Sequence, residues 1–178
     1  MRAFLLTAFL VLLTAAASAQ SEPTGFAGHP WGTTRAQIIA AEGEPIRETG
    51  KLMIYEGFVS GLETLVIYSA PGGRLTSGNY IVQTPTSDGQ ALADYERVRA
   101  RLTEKYGTGQ DATEWYDDTF RSDRVTALTA GDVKFFTVWV LDGGRIGISL
   151  QSRNYETEMM IGYVSAEALA EPDDDGGL

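Results

Sequence analysis

The chain has 178 residues, a formal net charge of −10 at pH 7 and no cysteine. Such an acidic chain repels phosphate backbones and anionic lipid heads, so nucleic acid is not expected as a partner. The missing cysteine excludes disulfides, thiolate metal sites, a cysteine nucleophile and a lipid-bearing cysteine.

Met1-Arg2 is a short positive start, and "AFLLTAFLVLLTAAA" after it is apolar and uncharged. Ala17-Ser18-Ala19 then offers the small residues that a signal peptidase reads. Residues 1–19 are therefore read as a signal peptide, and the expected location is periplasmic or secreted. The rival reading, a membrane anchor, needs roughly 20 apolar residues to span a bilayer, and this run is shorter. Removal of Arg2 would leave the remainder more acidic still. Residues 20–170 are read as one α+β domain, which has to stand on its core alone. The end of the chain, "EPDDDGGL" (171–178), is read as a disordered acidic tail, because it lacks the spaced ligands of a calcium loop.

"GHPWGTTRAQIIAAEGEP", Gly28 to Pro45, carries the only histidine. Thr34 and Gln37 have the spacing of a capping box, in which each side chain takes a free backbone N–H. Gly43 and Pro45 supply a stop. The stretch predicts a turn, a helix from Thr34 to Glu42 with Ile38, Ile39 and Ala41 as its apolar face, and an incidental histidine facing solvent. Strands are expected at Lys51–Val59, Glu63–Ser69 and Arg74–Gln83, with Pro71-Gly72-Gly73 as a hairpin and Gly78 as a bulge or a close contact. A second capped helix begins at Ser87 or Asp88. Its apolar stripe is Leu92, Tyr95, Val98, Leu102 and Tyr106, and Gly107 ends it. Its arginines, Arg97, Arg99 and Arg101, read as a solvated face.

Further strands are expected at Thr113–Asp118, Arg124–Ala130, Val133–Leu141, Arg145–Ser152 and Glu158–Val164, with a short helical end at Ser165–Ala170. Val133–Leu141 is apolar on both faces, which predicts a central strand. Glu158–Val164 is expected to close the sheet. The halves 26–84 and 87–165 rhyme, each with a helix, strands and a Gly-Gly-Arg turn, so a duplication is one reading and the common use of glycine pairs in turns is the other. The fold expected is a two-layer α+β sandwich, an antiparallel sheet of about seven to eight strands with two main helices on one face. What covers the second face is left open.

"WGTTRAQIIAAEGEP", "LMIYEG" and "TLVIYSAPGGRL" resemble the small outer-membrane-assembly lipoproteins of the SmpA/OmlA type and the related β-lactamase-inhibitor-protein modules. The matching positions are Gly32, Thr33, Gln37, Gly43, Pro45, Tyr55, Gly73 and Leu75. The whole chain also resembles an uncharacterised family of secreted bacterial α+β proteins. The resemblance covers about sixty residues well, carries no catalytic group, and implies a fold that binds proteins. This chain lacks the lipidated cysteine, so membrane anchoring does not transfer.

No motif names a chemistry. His29 has no nucleophile-elbow serine to serve, no H-E-x-x-H pattern exists, and none of the lysines stands in S-x-x-K. No metal site and no cofactor are implied. Asp117 and Asp118, beside Trp115 and Tyr116, offer acids next to an aromatic platform, but neighbours on a strand point to opposite faces. Trp115, Tyr116 and Phe120 cluster at a polar loop and are the candidate partner-binding residues, although the pattern reads more readily as an edge strand with one aromatic tucked beneath it. The leading expectation is a non-catalytic module that binds a protein or another envelope component. The alternatives are a small-ligand or glycan binder, or a weak glycan hydrolase, at Trp115–Asp118, and a stable envelope protein valued for stress tolerance.

Overall fold

The computed structural model describes residues 22–83, 87–154 and 156–170. The expected signal peptide, loop residues 84–86 and the acidic tail lie outside them. The elements run β1 (Gly25–Phe26), β2 (His29–Pro30), α1 (Arg35–Glu42), β3 (Arg47–Thr49), β4 (Leu52–Val59), β5 (Leu62–Ser69), β6 (Ser77–Val82) and α2 (Asp88–Tyr106) in the first part. There follow β7 (Gln110–Asp111), β8 (Glu114–Trp115), α3 (Arg124–Ala130), β9 (Val133–Leu141), β10 (Gly144–Arg153), β11 (Glu156–Ser165) and α4 (Ala166–Ala170). The protein is α+β, with one nine-stranded antiparallel sheet in the order β3-β4-β5-β6-β11-β10-β9-β7, β8 also pairing with β9. No helix among the described residues is long and apolar enough to cross a membrane.

The local signals act as their chemistry dictates. Thr34 and Gln37 form the complete capping box at the start of α1. Ile38 is fully buried, while Ala41 is exposed and takes no part in the apolar face. Ser87 caps α2 through Gln90 N–H, and the predicted stripe is buried along its length. Gly78 is a close contact: a Cβ there would lie 2.2 Å from the Phe26 ring.

Several expectations fail. Arg124–Ala130 is helix α3, not a strand. Asp123 accepts from Thr126 N–H at 3.1 Å, and Gly131, at φ 79°, closes the other end. These two caps and the burial of Ala127 and Leu128 override the strand preference of Val125, Thr126 and Thr129. Pro71–Gly73 is a 3-10 turn, not a tight hairpin, and Arg74 then bridges to Thr34, strapping the start of α1 to the sheet. The third strand consequently shortens to Ser77–Val82. Strand β11 does not close the sheet but lies inside it, between β6 and β10. Strand β9 lies near an edge, flanked on its outer side only by the two-residue strands β7 and β8. The sheet has nine strands, more than expected, because Arg47–Thr49 and Gln110–Asp111 add short edge pieces, while the expected strand Thr113–Asp118 shortens to Glu114–Trp115.

Register places the core on one face. Reading across from β9, the rows are Trp139–Ile146–Tyr163–Gly78–Tyr68–Met53 and Thr137–Ile148–Ile161–Tyr80–Val66–Tyr55. Both buried clusters grow from these rows, one with α2 and α3, the other with Ile38 of α1 and Phe26. Thr137 is buried there, and its hydroxyl shares a 3.0 Å hydrogen bond with Tyr95 of α2. Thr64 is 2 % exposed, and its hydroxyl has no partner among the described residues. Thr64→Val keeps the branched shape and removes the orphaned hydroxyl, so it is expected to stabilise the protein by about 1 kcal/mol. A thermal melt checks this; a lower melting temperature contradicts it.

Candidate functional site

Three regions carry exposed or titratable groups in quantity. The first is the aromatic loop after β8. Trp115 is half-buried, with its ring edge-on to Phe135 at 6.1 Å and the Arg121 guanidinium 5.0 Å from its centroid. Tyr116 is 62 % exposed and its hydroxyl donates to Glu114 at 2.9 Å. Phe120 is 40 % exposed. The three residues thus divide: Trp115 packs against the core beside α2 and α3, while Tyr116 and Phe120 face solvent. The acids are taken up locally. The Thr119 side chain, then its backbone, lowers the Asp117 pKa, the Thr119 N–H donating to Asp117 Oδ1 at 2.7 Å, and Asp118 pairs with Arg121.

The second region is a hollow of about 360 Å³ beside the β1–β2 hairpin, lined by Tyr80, Lys105, Tyr106 and Tyr163 among others. Burial, and after it the neighbouring Tyr106, pushes the Tyr80 hydroxyl up to about 12, and burial raises Tyr163 further, so both are neutral hydroxyls at ordinary pH. His29 lies at its rim and corrects the expectation of a solvent-facing side chain. The hairpin folds back over the sheet, so only 13 % of the imidazole is exposed. Its Nε2 is 2.7 Å from Glu42 Oε1 at the end of α1, and its ring stands edge-on to Tyr68 at 5.6 Å. The Tyr68 hydroxyl is raised mainly by burial and then by the Glu42 charge. These contacts tie the N-terminal hairpin to α1 and β5. Sequence spacing hid them, since the partners are 13 and 39 positions from His29.

The third region is the sheet's other set of alternate residues. Its rows across the strands are Val138–Gly147–Gly162–Asn79–Ile67–Ile54 and Phe136–Ser149–Met160–Ile81–Leu65–Glu56. Outer rows add Val140, Arg145, Val164 and Leu52 on one side and Lys134, Gln151, Glu158, Glu63 and Phe58 on the other. No apolar side chain of this set belongs to, or packs on, either buried cluster. Val140 and Phe58 are each 73 % exposed, and the remaining apolar members are partly exposed. Gly147 and Gly162 face each other in the middle. A Cβ at Gly147 would lie 3.0 Å from the Phe136 ring, and one at Gly162 would lie 2.9 Å from Asn79 Oδ1. The two glycines thus make room for their larger neighbours and keep the centre of the face low.

No family model, curated protein or solved structure matches the chain. The resemblance to the outer-membrane-assembly and inhibitor modules therefore rests on the residues quoted for it.

Proposed function

We propose that this protein is a non-catalytic binding module of the bacterial envelope, and that it holds a protein partner on the second face of its sheet. In this reading the fold has two layers, with α1 and α2 together on the core face and the other face left for a partner. The observation that carries it is the register. One set of alternate residues builds both buried clusters, while the other presents Ile54, Ile67, Ile81, Leu65, Met160, Phe136 and Val138 as a continuous apolar field outside them. A contiguous apolar field on a sheet, rimmed by Arg145, Lys134, Glu158 and Glu63, has the composition of a protein interface. The export part of the reading rests on the signal-like start of the sequence.

The aromatic loop supports this less well, since Trp115 is engaged with Phe135 and Arg121. The glycan alternative loses ground for a similar reason, as Asp117 and Asp118 are both occupied within their own loop. Affinity capture from the native envelope, comparing the natural protein with Ile67→Lys/Met160→Lys and with Trp115→Ala/Tyr116→Ala, tests the proposal. The face variant is expected to lose its partner by about tenfold or more, as central interface residues do, while the loop variant keeps it. The reverse pattern refutes the proposal.

A further inference from the structure

Strand β4 has a neighbour along only part of its outer edge. Strand β5 pairs with all of Leu52–Val59, but β3 covers only Leu52, Met53 and Ile54. Among the described residues, Tyr55–Val59 has no partner strand on that side. The direction of the backbone groups follows from two bonds. Ile54 C=O accepts from Ile46 N–H at 2.9 Å, so it faces the outer edge, and Lys51 C=O accepts from Ala70 N–H at 2.9 Å, so it faces β5. Alternation along the strand turns the N–H and C=O of Glu56 and Phe58 to the outer edge as well. An uncovered edge of this kind is a template for another strand.

The side chains beside the edge have a definite chemistry. Phe58 is 73 % exposed, and Ile46, just before β3 begins, is 59 % exposed. Glu63 stands opposite Phe58, and Glu56 opposite Leu65. Neither Glu56 nor Glu63 enters an ion pair among the described residues. The hollow they border with Phe58, Leu65 and Gln83 has no basic side chain in its lining. A second copy of this chain is a poor occupant, because pairing edge to edge would set carboxylates against carboxylates on chains that each carry −10.

We propose that the free edge of β4, Tyr55–Val59, receives an extended segment of a partner protein, which pairs as a further strand and brings lysine or arginine to Glu56 and Glu63 and an apolar side chain to Phe58. Main-chain bonds give such addition its affinity, and the alternate side chains give it specificity. The inference rests on the binding-module reading and can fail without it.

The test is an amide-resolved NMR titration of the full chain with a short acetylated peptide, Lys-Thr-Val-Thr-Lys-Thr-Val, which sets lysine and valine in turn on one face of the added strand. Its comparisons are the glutamate–valine counterpart and a lysine–valine peptide N-methylated at alternate residues. The expected result is saturable binding with the largest shifts at Glu56 and Phe58, weakened roughly tenfold or more by N-methylation, by the acidic peptide and by Glu56→Lys/Glu63→Lys. Phe58→Lys is the second variant, should the double change not fold. Equal binding of the N-methylated peptide, or no binding at millimolar concentration, overturns the edge. Shifts centred on Ile67 and Met160 overturn it too, but leave the binding-face reading standing. A captured partner retained by both Glu56→Lys/Glu63→Lys and Ile67→Lys/Met160→Lys removes both.

Discussion

Gly78→Val is expected to destabilise the protein by about 3 kcal/mol or more, a large share of the roughly 5–15 kcal/mol that holds a domain of this kind together. A Cβ at this position would meet three atoms of the Phe26 ring at 2.2, 2.4 and 2.5 Å. The ring has nowhere to go. It is 2 % exposed and lies against Tyr68, Tyr80 and Tyr163 with centroids 5.3, 4.7 and 5.7 Å away. Gly78 thus provides the seat on β6 through which the N-terminal hairpin packs onto the middle of the sheet. At about 2–4 °C per kcal/mol for a chain of this length, the melting temperature should fall by roughly 6 °C or more. Phe26→Ala/Gly78→Val should cost less than the sum of the two single changes, because one change relieves the other. A melting temperature unmoved by Gly78→Val would place Phe26 elsewhere.

Trp139→Ala is the second large effect, expected at about 3–5 kcal/mol. The indole is 2 % exposed in the core row of β9, and its Nε1–H donates to Gly107 C=O at 2.8 Å. Gly107 is the residue that ends α2, so the bond fastens that end to the sheet. Gly109 packs against the same ring, since a Cβ there would lie 2.6 Å from the indole. Trp139→Phe separates packing from the hydrogen bond. It keeps much of the apolar contact and leaves the Gly107 carbonyl without its donor, for an expected loss of about 1–3 kcal/mol. Denaturant unfolding followed by far-UV circular dichroism measures both, and equal losses for the two variants would show that the hydrogen bond contributes more than the packing.

The parts of the fold legible in the sequence were those decided within a few residues. The Thr34–Gln37 capping box, the Ser87 cap and the glycine stops at Gly43 and Gly107 state their helices locally. The alternation of Ile146, Ile148 and Leu150 likewise shows which side of β10 is buried. Sheet order is not local, and there the reading failed. Strand β9 is apolar on both sides, which argued for a central position with both faces covered. In the fold Phe135 and Trp139 face the core, while Phe136, Val138 and Val140 belong to the other set of the sheet's residues. The apolar second side that misled the placement of β9 is therefore part of the candidate binding surface. Helix α3 was hidden differently: Val125, Thr126 and Thr129 are strand formers, and only the Asp123 and Gly131 caps together with the buried Ala127–Leu128 pair outweigh them. The likeness of the two Gly-Gly-Arg turns also proved superficial, since Pro71–Gly73 is a 3-10 turn that straps α1, whereas Asp142 and Gly143 alone join β9 to β10.

The central claim is that a protein partner sits on the face of the sheet that carries Val138, Ile67 and Met160. It is tested most directly by placing a photo-crosslinking residue at each of these positions in turn, and at Arg101 and Glu104 on the exposed side of α2 for comparison, in cells that make the protein. The account predicts one and the same protein adduct from all three face positions and none from α2. Adducts arising equally from α2, or from neither surface, would contradict it.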